Sequence, residues 1–455
     1  MRITYITAGA AGMYCGSCIR DNALAAALMA QGHDVLLLPM YTPTLTDEEN
    51  VSANRVFFGG VSVYLEQYVS LFRHTPWVLD RLWEAPWLLR TVSGSVSTQP
   101  EQLGGLTVSV LAGQHGHQAK EIDKLVHWLK GQPLPDVVDL SNSMLIALAR
   151  PIKETLGVPV CCTLQGEDIF LGHLSEPYRG QAQQLIQDSV AHVDRFIAVS
   201  DYYAAHMCRY LGIPGAKIDV VPLGINQEGY ERPQAVGAKA GADQRFTVGH
   251  FGRIAPEKGT HLLCEAFKRL RDGGQFEDAS VRLAGYLAPE HRAFLESLQA
   301  QVRAWGLDGQ IRYEGALDRE QKIRFLQELD VFAIPAVYDD PKGMSLLEAM
   351  ACGVPVVAPR RGTYTEMIER TGGGILVPPD DLDAFVGALR LLANDPVRRR
   401  ELGAKGAAGV REHYTATGMA TCALDVYARL VGGAQSTTSS PESPRSQDLP
   451  SASVR

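Results

Sequence analysis

Two stretches in the second half of the chain carry residue types that suit a phosphorylated ligand. The first is Gly252-Arg-Ile-Ala-Pro-Glu-Lys-Gly259. Its glycines let the backbone approach a ligand, while Arg253 and Lys258 bring two cations to one edge, a combination that suits a diphosphate. An Arg and a Lys in a loop are more often simply solvated, so this stretch does not decide the matter alone.

The second stretch runs from Pro335 to Ala358 and reads as a strand end, a polar loop, a short helix and another buried strand. Asp340 falls in the loop and Glu348, eight positions on, in the helix. A helix starting here would turn the free N–H groups of Gly343, Met344, Ser345 and Leu346, and its positive dipole end, towards phosphate. A carboxylate beside that end can bind ribose hydroxyls, and one in the loop can bind sugar hydroxyls. Turn formation before Pro341 would account for Asp340 alone, and a surface helix position for Glu348 alone. With the Gly-Arg and Lys-Gly loop preceding them, ligand binding is the stronger reading of the set.

These residues need sheet edges to hold them. The first half alternates strand-like runs with helical patterns: Ile3–Thr7, a helix over Asp21–Gln31, then residues 32–39, with the rhythm returning at 136–140, 158–163, 195–200 and 218–222. Strand, glycine turn, helix and strand make a βαβ unit and a parallel sheet. The pattern lapses over 227–244, which reads as a linker, and resumes with strands at 246–251, 280–284, 311–314, 331–335 and 354–358. The fold class is therefore α/β, with two Rossmann-like doubly wound domains in tandem, 1–226 and 245–415. A final amphipathic helix is expected over 416–433 and a polar, unstructured tail over 434–455. An aromatic-rich interval at 56–90 reads as an insertion in the first domain, either its own small core or an acceptor surface.

Bulk properties agree with this plan. A chain of 455 residues exceeds what one core usually organises. With 45% hydrophobic and 21% charged residues it is ordinary globular material, and a net charge of −8 gives no global field for nucleic acid. The N-terminus lacks the features of a signal peptide and no apolar run suits a membrane span, so the expected location is cytoplasmic, with peripheral membrane contact left open. The eight cysteines fit reduced thiols rather than a disulfide framework.

On these motifs the chain resembles retaining glycosyltransferases of the GT-B fold, glycosyltransferase family four or glycosyl transferases group one, which includes sucrose, trehalose and lipid-sugar synthases. The resemblance runs from the glycine-rich turn Gly9–Gly16 to the last helix and is strongest from Gly252 to Asp381. It implies two domains facing a central cleft, a nucleotide-diphosphate sugar as co-substrate, a glycan, lipid or small-molecule acceptor, retention of anomeric configuration, no metal cofactor, and a last helix that crosses back to the first domain. The family's paired carboxylates match Asp340 and Glu348, its diphosphate-binding cations match Arg253 and Lys258, and a glutamate of the next loop matches Glu366. The glycine-rich turn would place Gly12 towards the donor phosphates and Gly16 towards the acceptor.

Two departures stand out. The first acid of the pair is usually Glu, and Asp340 is shorter by one bond of about 1.5 Å; Asp339 could substitute for it. Where the family commonly has a histidine after its first-domain strand, this chain has Gln165. An amide cannot take a proton, so base duty would pass to Glu167, Asp168 or the leaving phosphate, and the two acids are also acceptor candidates. An epimerase or hydrolase on the same fold, and a weakly catalytic binding protein, are the competing functions.

Three further motifs are set aside. The turn Gly9–Gly16 superficially matches a dinucleotide fingerprint, but the following strand ends Leu38-Pro-Met-Tyr41, without the acid that would hold a nicotinamide ribose. Cys15-Gly-Ser-Cys18 has CxxC spacing but no second cysteine pair near it in sequence, and is not read as a metal or redox site. Asp381-Leu-Asp383 precedes a helix and is read as capping.

Overall fold

The alternating runs fold into two six-stranded parallel sheets in the computed structural model, which describes residues 1–9, 15–58, 63, 66–67, 100–231, 245–272 and 276–438. Gly12, most of the aromatic interval 56–90, residues 232–244 of the expected linker and 439–455 of the expected tail lie outside the described residues.

The first sheet contains β1 (Arg2–Thr7), β2 (Asp34–Pro39), β3 (Val137–Leu140), β4 (Val160–Leu164), β5 (Arg195–Ala198) and β6 (Ile218–Val220), in the order β2-β1-β3-β4-β5-β6. The second contains β7 (Thr247–Phe251), β8 (Ser280–Ala284), β9 (Ile311–Tyr313), β10 (Val331–Ala333), β11 (Val356–Pro359) and β12 (Gly374–Val377), in the order β12-β11-β10-β7-β8-β9. Strands β3, β4, β10 and β11 are buried along their whole length, as expected where helices cover both faces of a parallel sheet.

The strand order of each sheet reverses at one point, β1/β3 in the first and β7/β10 in the second. In doubly wound sheets, ligands bind beyond the carboxyl ends of the strands at that point. The segments leaving these four strands are the turn towards Gly16, Ser141–Ser143, Gly252–Gly259 and Ile334–Gly343. Topology thus brings both phosphate-type motifs to one edge.

The helices that position this edge are α1 (Gly16–Ala30), α2 (Glu167–His173), α3 (Asp201–Leu211), α4 (Arg319–Gln327), α5 (Met344–Ala351), α6 (Gly362–Thr371) and α7 (Ala416–Thr438). Helix α1 begins at Gly16, not at Asp21 as the sequence predicted. Cys15, with extended backbone (φ −114, ψ 127), is its N-cap. Asp21 is completely buried and accepts hydrogen bonds from Thr7 and Tyr5, so it is a core acid rather than a helix start. Glu366, expected in a loop, lies within α6.

Helix α7 packs against the first domain and reaches Thr438, where the sequence placed its end at 433. Its Met419, Ala420, Ala423, Val426 and Tyr427 join the apolar cluster containing Leu24 and Leu28 of α1. Tyr427 also donates to the buried Asp139 of β3 at 2.6 Å. Burial pushes the Asp139 carboxyl up to about 6, against the opposing pull of Tyr427, Arg20 and Thr163.

Candidate active site

On the second-domain side, the residues after β10 wrap round Asp340, which is 6% exposed. Its Oδ2 accepts from Lys258 Nζ at 2.7 Å, Tyr338 OH at 2.5 Å and Tyr364 OH at 2.9 Å. Its Oδ1 accepts from the backbone N–H groups of Lys342 at 2.9 Å and Gly343 at 3.2 Å. Burial opposes the charge, but Lys258 and these donors outweigh it and hold the carboxyl well below the usual carboxylate range. With five donors on two oxygens, Asp340 organises the loop and holds Lys258 in place.

Two glycines make this loop possible. Gly259 (φ +74) lies so close to the end of β10 that a Cβ would stand 1.9 Å from the Pro335 carbonyl oxygen. Gly343 (φ +64) is the left-handed residue that starts α5, and a Cβ there would lie 2.8 Å from Met367 Sδ. Of the four N–H groups expected to face the cleft, that of Gly343 bonds Asp340 and that of Leu346 bonds the Gly343 carbonyl at 3.0 Å. Met344 and Ser345 keep theirs free among the described residues, at the positive end of the helix dipole. Arg253 is ion-paired with Glu257 in the loop after β7, beside Tyr338.

Glu348 sits one turn along α5, 5% exposed, and its Oε1 accepts from Tyr230 OH at 3.0 Å and Lys322 Nζ at 2.6 Å. No hydrogen bond occupies Oε2 among the described residues. Lys322, itself 3% exposed, also pairs with Asp47 of the first domain, and the adjacent Glu48 pairs with Arg319 at 3.1 Å. Burial disfavours the Lys322 cation, yet Glu348 and Asp47 more than compensate and raise its affinity for the proton. A capping box at Asp318 starts α4 and sets the register that turns Lys322 inward with Phe325 and Leu326.

Across the cleft, Gln165 follows β4 and is 2% exposed. Its Nε2 donates to Asp21 Oδ1 at 3.0 Å and Ser141 O at 2.7 Å, which fixes the amide orientation and leaves Oε1 with no partner. Glu167 is buried, and its oxygens accept from the Gln165 N–H at 2.7 Å and the Ser143 N–H at 2.9 Å, so it ties down the loop from beneath. Burial pushes its carboxyl above the ordinary range. Asp168 accepts from Tyr203 OH at 2.6 Å and lies beside His206 at 3.2 Å.

The two sides touch. Lys342 Nζ donates to Ser17 Oγ at 2.8 Å and to the Gln165 carbonyl at 2.7 Å. A Cβ on Gly16 would lie 3.3 Å from Met344 Sδ, and one on Gly166 3.0 Å from Pro341 Cγ. Glu366 accepts from the Tyr202 N–H at the start of α3 at 3.0 Å. The structure therefore groups Asp340, Lys258, the start of α5, Gly16 and Gln165 round one crevice. Glu348 lies in a second group with Lys322 and Asp47, Glu167 under the loop, and Arg253 on the rim. Asp381 accepts from the Ala384 N–H at 2.8 Å and caps its helix, while Asp383 pairs with Arg269.

Residues 21–224 match the glycosyl transferase 4-like domain and residues 234–408 match glycosyl transferases group 1. The lipopolysaccharide core biosynthesis mannosyltransferase LpsB of Rhizobium meliloti is 30% identical over 250 residues, 53% of this chain and 67% of that protein. The chain belongs to the group 1 glycosyl transferases. A D-inositol 3-phosphate glycosyltransferase of Segniliparus rotundus is 29% identical over 327 residues, covering 68% of this chain and 67% of its own. Sucrose-phosphate synthase from Thermosynechococcus elongatus superposes with a TM-score of 0.69 at 18% identity, over 95% of this chain and 100% of its own. Anabaena HepE in complex with UDP-glucose superposes at 0.63 and 18% identity, over 94% and 100%. The fold is GT-B.

Several residues of this group 1 site escaped the sequence reading. Lys322 precedes Phe325 and Leu326 by three and four positions, which put it on the buried face of its helix. Tyr338 and Tyr364 flank the motif itself. Asp21 is a lone acid in an otherwise apolar helix pattern. No sequence signal marks Asp47.

Proposed function

We propose that the chain transfers a sugar from a nucleotide-diphosphate sugar to an acceptor hydroxyl, with retention of anomeric configuration. The observation that carries this reading is the meeting, in one crevice, of Lys258 on Asp340, the free N–H groups at the start of α5, and Gln165 from the opposite sheet. Nucleotide-sugar complexes of the superposable HepE support the donor class.

The donor diphosphate lies against the Met344 and Ser345 N–H groups, with Lys258 and Arg253 at its edge. Donors fixed before the reaction stabilise charge growing on the leaving phosphate, usually the largest catalytic contribution. Glu348 Oε2 accepts from the ribose hydroxyls while Lys322 and Tyr230 hold its other oxygen. Asp340 anchors Lys258 rather than gripping the sugar alone. Gln165 Oε1 accepts a hydrogen bond from a sugar or acceptor hydroxyl, since its amide hydrogens are already committed. The bond from the anomeric carbon to the phosphate oxygen breaks, the acceptor oxygen bonds that carbon from the same face, and its proton passes to the departing phosphate. No catalytic carboxylate is needed for that last step, which suits a site whose Glu167 and Asp21 are tied to their own loops and strands.

No helix among the described residues is long and apolar enough to cross a membrane; we place the reaction in the cytoplasm, with lipid acceptors reached peripherally. The test is incubation with UDP-, GDP- and ADP-sugars and an acceptor panel that includes inositol phosphates, with the product's anomeric configuration read by proton NMR. Transfer with retention supports the reading. Nucleotide release independent of any acceptor, or inversion, overturns it.

A further inference from the structure

Cys15 and Cys18 take no part in the proposed transfer, and their sequence spacing alone did not mark a redox site. Their placement changes that. Cys15 is the N-cap of α1 and Cys18 its third residue, so the pair spans the first helical turn, the arrangement in which a dithiol meets a helix dipole and free N–H groups. Cys15 is half-buried and Cys18 buried, both as free thiols. Lys342, reaching across the cleft to Ser17 Oγ at 2.8 Å, adds a cation to the same turn.

We propose that Cys15 and Cys18 form a redox-active dithiol at the cleft, with Cys15 the attacking sulfur and Cys18 the one that closes the disulfide. The electrostatics agree: the neighbouring Cys18 and the Lys342 cation hold the Cys15 thiol well below its ordinary range, against burial. The neighbouring Cys15 and burial push the Cys18 thiol the opposite way. A small disulfide such as oxidised glutathione is the oxidant. Cys15 attacks one of its sulfurs and expels one thiolate, giving a mixed disulfide. Cys18, losing its proton, then attacks the Cys15 sulfur and expels the second thiolate. Two protein thiols lose two electrons and one disulfide becomes two thiols. The new bond sits against the donor loop, since the Gly16 position between the two cysteines packs on Met344 and Lys342.

Cys422 is an exposed free thiol and serves as an internal reference. An ordinary thiol is only about 1% thiolate at pH 6.5. The full-length reduced protein is treated with iodoacetamide at that pH and the labelled peptides are quantified by mass spectrometry. Cys15 is expected to react about tenfold or more faster than Cys422, although it is the less accessible. Oxidised glutathione is expected to give the Cys15–Cys18 disulfide in the native protein and to stop at the mixed disulfide on Cys15 in Cys18→Ser. Lys342→Met is expected to slow Cys15 labelling severalfold, and it leaves both cysteines in place should Cys18→Ser fail to fold. Faster labelling of Cys422, or a mixed disulfide on Cys15 that Cys18 never resolves in the native protein, overturns the proposal.

Discussion

Replacing Lys322 with Met isolates the bridge behind Glu348. The ammonium lies 2.6 Å from Glu348, pairs with Asp47 of the other domain, and is 3% exposed. Methionine fills much the same volume, and the Tyr230 and Phe251 rings, each 5.8 Å from Nζ, give it an apolar lining. What the variant loses is charge: two buried carboxylates then face each other without a counter-ion. Removing one partner of a buried pair costs about 3–5 kcal/mol. A domain of this size shifts about 2–4 °C per kcal/mol, so the melting transition should fall by roughly 6–20 °C. Adding Asp47→Asn and Glu348→Gln to Lys322→Met should recover part of the loss, since the penalty lies in the unpaired charges. Thermal unfolding followed by circular dichroism at pH 7 measures both variants against the native protein. A loss under about 1 kcal/mol for Lys322→Met alone would refute a buried two-carboxylate bridge.

Glu348→Ala should raise the donor KM by about tenfold or more with a smaller effect on kcat, because the proposed contact is to ribose and not to the reacting carbon; steady-state kinetics at varied donor concentration measure it. Gly259→Ala should destabilise by about 2 kcal/mol or more, since both its φ of +74 and the Pro335 carbonyl oppose a side chain; urea unfolding reads the change. The buried His250 ring donates from Nδ1 to the Ala333 carbonyl and has no other hydrogen bond among the described residues, and burial holds it down to about 4. Its folded value lies below its unfolded one, so the neutral ring's contribution is complete above pH 6.5 and is lost as the pH falls towards 4, in total about 3 kcal/mol. His250→Asn should flatten the stability profile over that interval, as urea midpoints at several pH values will show.

Periodicity made the fold legible. Buried apolar runs and the turns between them located strands such as β8 to the residue, and the amphipathic pattern after 416 located the crossing helix. Boundaries were lost where a local cue had a tertiary role: Asp21 reads as a helix start in sequence but is an acid of the buried network. The site divides the same way. Lys258, Asp340 and Gly343 stand close in the fold because each follows a strand, which the sequence shows, and those strands meet at the sheet's switch point, which only the structure shows. Partners come from distant segments, Tyr364 of α6 for Asp340 and Asp47 of the other domain for Lys322, and no local pattern encodes such pairs. Gln165 shows a further limit: an amide stands in place of an imidazole, but only its bonds to Asp21 and Ser141 reveal that the side-chain Oε1 is the free end.

The central claim, a diphosphate held by Lys258 and the start of α5, is tested most directly by isothermal titration of UDP, GDP and ADP into the native protein and into Lys258→Met and Lys258→Arg. One charge-assisted hydrogen bond contributes about 1.5–3 kcal/mol, so Lys258→Met should weaken the preferred nucleotide roughly 10- to 150-fold. Lys258→Arg should retain much of the affinity. Equal binding by the native protein and Lys258→Met, or no binding of any nucleoside diphosphate by the native protein, would contradict the account.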